Sequence, residues 1–184
     1  MALKIEKLNI SFGEKIVFKD FSIYFEENRI NCILAKSGFG KTTLLNYIAK
    51  SFDEVSYAFQ DFRLLENESV FNNIFIPLKN KIEKIEAEKQ IYSILKTFDL
   101  ENLKNEKCRF LSGGEKSRIN LTRALLFPAK ILLLDEPFQN IDEKLKNKIM
   151  AFIKNEQKIK GQTVIFVTHN KNEALFLSDK IFEF

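Results

Sequence analysis

The residues best suited to chemistry lie in one run, Ala35-Lys36-Ser37-Gly38-Phe39-Gly40-Lys41-Thr42-Thr43, between a continuous apolar stretch and a helix-like segment. In such a loop successive backbone N–H groups converge on a phosphate, helped by the positive end of the helix dipole. Gly38 and Gly40 let the backbone curl round the anion. Lys41 brings charge to the β and γ oxygens, and Thr42 offers a hydroxyl to Mg²⁺. The first position departs from the phosphate-loop pattern, because Ala35 stands where glycine is usual. Were its φ positive, alanine there would cost about 1 kcal/mol.

Three more clusters could serve the same anion. Leu111-Ser112-Gly113-Gly114-Glu115 opens a helix. Ser112 and Glu115 have the spacing of a capping box, and a glycine-rich helix N-terminus is also an anion site, so both readings stand together. Asp135 and Glu136 end an apolar run. There Asp135 suits a Mg²⁺ shell and Glu136 suits orienting or deprotonating a water, although two acids at a strand end are also often merely solvated. His169 is the single histidine and directly follows Val164-Ile165-Phe166-Val167-Thr168; such a histidine is either structural or part of the site. All of these but the Ser112 cluster follow strand-like runs, and parallel strands open their ligand crevice at their carboxyl ends.

The elements that must position these groups read as an α/β chain. Leu3 to Ile10 and Phe18 to Phe25 alternate apolar and polar, the mark of half-buried strands. Ile30 to Leu34, Ile131 to Leu134 and Val164 to Val167 are continuous apolar runs expected of strands covered on both faces. Val55 to Phe59 and Lys180 to Phe184 are further short strands. Helices are expected over Thr42 to Ser51, Ser112 to Phe127 (stopped by Pro128), Glu143 to Lys158 and Lys171 to Leu177. Residues 69–104 read as helical, clearest over Lys81 to Leu100, where Ile82, Ile85, Ile91, Ile94, Leu95 and Phe98 recur at helical spacing. The alternation predicts a mainly parallel central sheet, a small N-terminal β part and a helical subdomain inserted at about 62–110, all within one domain, 1–184.

Composition narrows the classes. With 184 residues, 45% hydrophobic and 29% charged, the chain is globular rather than disordered. Its longest apolar runs are strand-sized, far short of the roughly 20 residues of a membrane span. The opening lacks the apolar run of a secretory signal, and Cys32 and Cys108 are expected to be reduced thiols in the cytosol. The net charge of +4 is spread along the chain, and the densest basic run, Lys144 to Lys148, is flanked by acids. No basic stripe interleaved with aromatics argues for nucleic acid.

Taken together, the motifs resemble the nucleotide-binding subunit of ABC (ATP-binding cassette) transporters over essentially the full length. Ala35 to Thr43 is similar to the family's Walker A loop, Leu111 to Glu115 to its signature motif and Ile131 to Glu136 to Walker B. Gln60 matches the Q-loop glutamine, His169 the switch histidine and Asp142, in Asn140-Ile141-Asp142, the D-loop aspartate. Phe12 sits where the family stacks an aromatic on adenine. Two departures stand out: Glu115 in place of the usual glutamine, and only 18 residues between Lys41 and Gln60, too few for the antiparallel strands normally there.

The resemblance implies a P-loop ATPase that binds ATP and Mg²⁺. Thr42, Gln60 and Asp135 would be near the metal, Glu136 would polarise the attacking water, and His169 would contact the γ-phosphate. It further implies a second cassette paired head to tail, each ATP lying between the Walker A loop of one copy and Ser112, Gly113, Gly114 and Glu115 of the other. It implies, too, a separately encoded integral membrane permease, with the chain peripheral on the cytoplasmic face of the membrane. Apolar residues beside the Q-loop, from Phe62 to Pro77, are either the helical part's own core or a groove for that permease. Asp135-Glu136-Pro137-Phe138 and the residues around His169 resemble importers of the nitrate, sulfonate, taurine and thiamine-precursor type, which adds a periplasmic or surface solute-binding protein. The alternative is a cassette of a cell-division or lipoprotein-release complex, because Phe59 to Leu65 and Leu111 to Glu115 resemble those as well. The end at Phe184 implies no appended regulatory domain.

Overall fold

A computed structural model describes residues 2–184. Strands β1 (Ala2–Phe12) and β2 (Lys15–Glu26) pair antiparallel as a separate two-stranded sheet, turning at Gly13 in the left-handed region. They are followed by β3 (Ile30–Leu34), α1 (Lys41–Ser51), β4 (Val55–Ala58), α2 (Val70–Leu78) and α3 (Lys84–Thr97). Then come α4 (Gly113–Leu126), β5 (Ile131–Asp135), α5 (Glu143–Lys160), β6 (Thr163–Thr168), α6 (Lys171–Leu177) and β7 (Lys180–Glu183). Five strands form one sheet in the order β4-β5-β6-β3-β7, every pair parallel. The architecture is therefore α/β, with a parallel sheet, a small antiparallel pair and helices.

Strand periodicity divides the core into two. Cys32, Leu134 and Phe166 face one side, where they meet Ile74 of α2, Ile91 of α3, Ile119 of α4, Ile149 of α5 and Leu177 of α6. Ile33, Leu133 and Ile165 face the other, against Leu44, Leu45 and Ile48 of α1 and Leu3, Ile5, Phe18 and Phe25 of the hairpin. Both sides of the central strands are thus covered, which explains their mainly apolar runs, the buried Asn31 of β3 being the exception.

The helical stretch differs from its expected form. Instead of continuous helix it breaks over residues 79–83, starting two residues after Pro77, which has no N–H to offer the carbonyl of Asn73. Ile85, expected on the apolar face, is 73% exposed. It lies two residues before the buried Ala87, roughly 200° round the helix, while Ile91, Ile94, Leu95 and Phe98 continue the buried stripe. Both cysteines are buried, and burial pushes the thiol of Cys32 up to about 12 and that of Cys108 up to about 11, so neither is a nucleophile near neutral pH.

Candidate active site

The carboxyl ends of β3, β5 and β6 lie side by side and hold the chemically capable residues together. A cleft of about 390 Å³ is lined by Phe12, Lys15, Ile16, Val17, Ser37, Gly38, Gly40, Lys41, Thr42, Thr43, Gln60, Asp135 and Glu136. The loop from Ala35 to Gly40 leads straight into α1, with Gly38 at φ 88° and Gly40 at φ 103°. Gly40 is irreplaceable on space as well: a Cβ there would overlap Val17 and touch the ring of Phe18. Ala35 is not left-handed, so the cost expected of alanine does not arise. It is buried, and its N–H donates to the carbonyl of Thr168 at 3.2 Å.

Lys41 is 7% exposed. Its ammonium donates to the carbonyls of Ala35 (2.8 Å) and Lys36 (3.2 Å) and lies 3.3 Å from Glu136 Oε1. The other Glu136 oxygen is 2.9 Å from Nδ1 of His169, whose side chain is 60% exposed. Glu136 adopts φ 48°, unusual for a side-chain-bearing residue, and its N–H donates to Val167 at 3.1 Å. That strained turn aims its carboxylate between lysine and histidine.

Asp135 is 3% exposed, and burial above all holds its carboxyl above the usual carboxylate range. Thr42 and Tyr57 hydrogen-bond it, yet its Oδ1 is buried without a partner. An orphaned carboxylate oxygen beside a threonine hydroxyl fits a hard divalent cation. Among the described residues no three His, Cys, Asp or Glu side chains converge on one point, so such a cation would complete its shell with oxygens from a ligand.

Other expected residues lie elsewhere or act differently. Phe12 is at the cleft rim, 63% exposed. The ring of Phe39 turns away from the cleft and packs on Phe18, Phe21 and Phe184, so only its backbone faces the loop's interior. Ser112, Gly113, Gly114 and Glu115 do not line this cleft. They start α4 as a capping box, with Ser112 N–H donating to Glu115 Oε2 at 2.7 Å and Glu115 N–H to the serine hydroxyl. Gly113 is exposed, and a Cβ on Gly114 would overlap the carbonyl of Asn140.

Several contributors escaped the sequence. Gln60 precedes Phe62 and Arg63, both left-handed, and this loop is pinned from α4. Arg123 donates to the carbonyls of Phe62 (2.7 Å) and Arg63 (2.8 Å), and Asn120 to that of Phe59 (2.7 Å). Tyr57 stacks on Phe59 with centroids 4.0 Å apart and reaches Asp135. On α4 their trace in the sequence was two polar residues, the buried Asn120 and the half-buried Arg123, legible once the helix face is known, and Tyr57 on β4 left none.

Comparison with known proteins completes the picture. Residues 50–139 match the family model described as ABC transporter. The chain is 33% identical over 98% of its length to the sulfate/thiosulfate import ATP-binding protein CysA of Mannheimia succiniciproducens, and spans 58% of that relative. Among solved structures it superposes on the ATP-binding cassette MJ0796 in a dimeric post-hydrolysis state bound to ADP and Pi, with TM-score 0.86 and 27% identity over 100% of this chain and 94% of that one. Its fold is also that of CbiO1 from Clostridium perfringens, part of the complex cbiONQ, at TM-score 0.78 and 24% identity over 98% and 83% of the two chains. Similar over nearly all its length to an import ATP-binding protein, the chain belongs to the ATP-binding cassette family of ABC transporters.

Proposed function

We propose that the protein binds and hydrolyses ATP as the nucleotide-binding subunit of an ABC transporter, driving solute import through a separate membrane permease. The observation that carries this reading is the convergence of Lys41, Asp135 and Glu136 on the phosphate loop, with His169 on the far side of the glutamate. Two carbonyls and a carboxylate hold the Lys41 ammonium, and triphosphate oxygens would compete for it. Losing that cation leaves Glu136 as an anion beside His169, able to accept a proton from water. The water oxygen bonds to the γ-phosphorus, the bond to the β-phosphate oxygen breaks, and ADP and phosphate leave. Thr42, Asp135 through its unpartnered Oδ1, and Gln60 are the residues that would hold Mg²⁺. When bound, the ion neutralises charge on the β and γ oxygens. Phe12 offers an exposed ring to the base, and the amides of residues 37–43 face the phosphates.

The signature residues Ser112, Gly113, Gly114 and Glu115 would serve a second copy's cleft rather than their own. Their absence from the lining of the same chain's cleft and the dimeric state of the MJ0796 structures support that pairing. The likeness to CysA, an import ATP-binding protein, supports import, hence a permease and a solute-binding protein. The chain would then work as one ATPase domain, its helical part about 62–110, peripheral on the inner membrane face. Among the described residues no helix is long and apolar enough to cross a membrane.

Glu136→Gln tests the reading: phosphate release should fall roughly 100- to 1,000-fold, as for loss of a general base, with ATP affinity by calorimetry retained. Unchanged steady-state hydrolysis would overturn it.

A further inference from the structure

Two buried charges take no part in the hydrolysis outlined above. Glu173 and Lys146 are each 8% exposed and lie behind the histidine loop. The hydroxyl of Thr168, fully buried, donates to Glu173 Oε2 at 2.7 Å and accepts the Asn170 N–H at 3.0 Å. Lys146, on the first turn of α5, lies 3.3 Å from Glu173 Oε1 and 2.8 Å from Glu143. A buried ion pair pays desolvation and gives little net stability over apolar residues of the same size. What it can supply is a fixed arrangement.

The place it fixes is informative. Thr168 ends β6, directly before His169. Its carbonyl accepts the N–H of Ala35, where the phosphate loop begins, and the preceding carbonyl, that of Val167, accepts the N–H of Glu136. One strand end therefore braces the loop, the glutamate and the histidine. At the other side α5 is capped by Asp142, two residues after the Asn140 carbonyl that abuts Gly114.

We propose that Thr168, Glu173 and Lys146 are positioning residues for hydrolysis, a buried relay that sets His169 against Glu136 and ties this geometry to the start of α5. The relay rests on the ATPase reading above. Thr168→Val keeps shape and burial while deleting the hydroxyl, and Glu173→Gln keeps an acceptor while deleting the charge. In the full chain each should lower kcat roughly 10- to 100-fold, as misplacement of a catalytic group does, with KM for ATP within about twofold. The double variant should be no slower than the slower single one, because the two act as a unit. Lys146→Arg should restore most of the activity that Lys146→Met loses. His169 is the single histidine, so its ring signals in an NMR spectrum are unambiguous, and they should shift in Thr168→Val. Wild-type kcat and unmoved His169 signals in Thr168→Val would overturn the proposal, and so would a fall in kcat matched by an equal rise in KM. Should Glu173→Gln fail to fold, Thr168→Val alone decides. A wild-type protein without hydrolysis sinks the ATPase reading instead, and the His169 signals still decide the positioning.

Discussion

Lys41 is surrounded by groups that a polyanion can displace, two backbone carbonyls and one carboxylate. Its removal should therefore be felt first in nucleotide affinity. Hydrogen bonds to charged groups contribute about 1.5–3 kcal/mol, so Lys41→Ala should weaken ATP binding roughly 10- to 150-fold by calorimetry. Equal affinities would contradict the phosphate-loop assignment. At this scale the sequence was legible wherever the chemistry is contiguous: the loop, Asp135 with Glu136, and His169 all announce themselves by neighbours in the chain. What it could not give were contacts across strands. The Lys41–Glu136 pair joins residues 95 apart, and the Tyr57–Asp135 bond depends on β4 lying beside β5. Phe39 carries the opposite lesson, since a motif position marks its backbone and leaves its ring free to pack.

Among the elements, α4 shows how one N-terminus serves two ends. Glu115, bonded by both the N–H and the hydroxyl of Ser112, has its carboxyl held below the usual range. A lowered folded-state value means stability that is present above the ordinary glutamate pKa of about 4.3 and is lost as pH falls through the lower, folded one. Urea unfolding from pH 7 down to pH 3 should show that acid-side loss in the wild type and a flatter profile in Glu115→Gln. An identical acid slope in both proteins would rule the cap out as its source. The capping box itself was legible from a Ser-x-x-Glu spacing. The bounds of α3 were not, because Ile82, packed on the core from the turn before the helix, and Ile85, on its exposed face, both mimic its apolar period. Nor was the pinning of residues 59–63 by Asn120 and Arg123, which requires knowing which face of α4 meets the sheet.

Over the whole molecule, the parallel order of the sheet followed from alternating apolar runs and helices, while its strand sequence needed the structure. The exposed Ser112–Gly113 tip lies away from the chain's own cleft, which makes a separable pair of defects possible. Ser112→Arg should abolish hydrolysis with nucleotide binding intact, and Lys41→Ala should abolish hydrolysis while weakening binding as above. In a two-fold dimer, an equal mixture of the two variants leaves one sound composite site in each mixed pair, so roughly a quarter of the wild-type rate should return. A mixture as inactive as its components would exclude the trans arrangement.

The hairpin of β1 and β2 bears Phe12 near its turn and, a few residues on, the Val17 and Phe18 side chains against which Gly40 is pressed. A single small ribbon thus carries both ends of the cleft and acts as a ruler for its occupant. Two residues added at the Gly13 turn would slide the aromatic shelf away from the cradle while leaving each intact. Inorganic triphosphate should tolerate such a change far better than a ligand obliged to reach both.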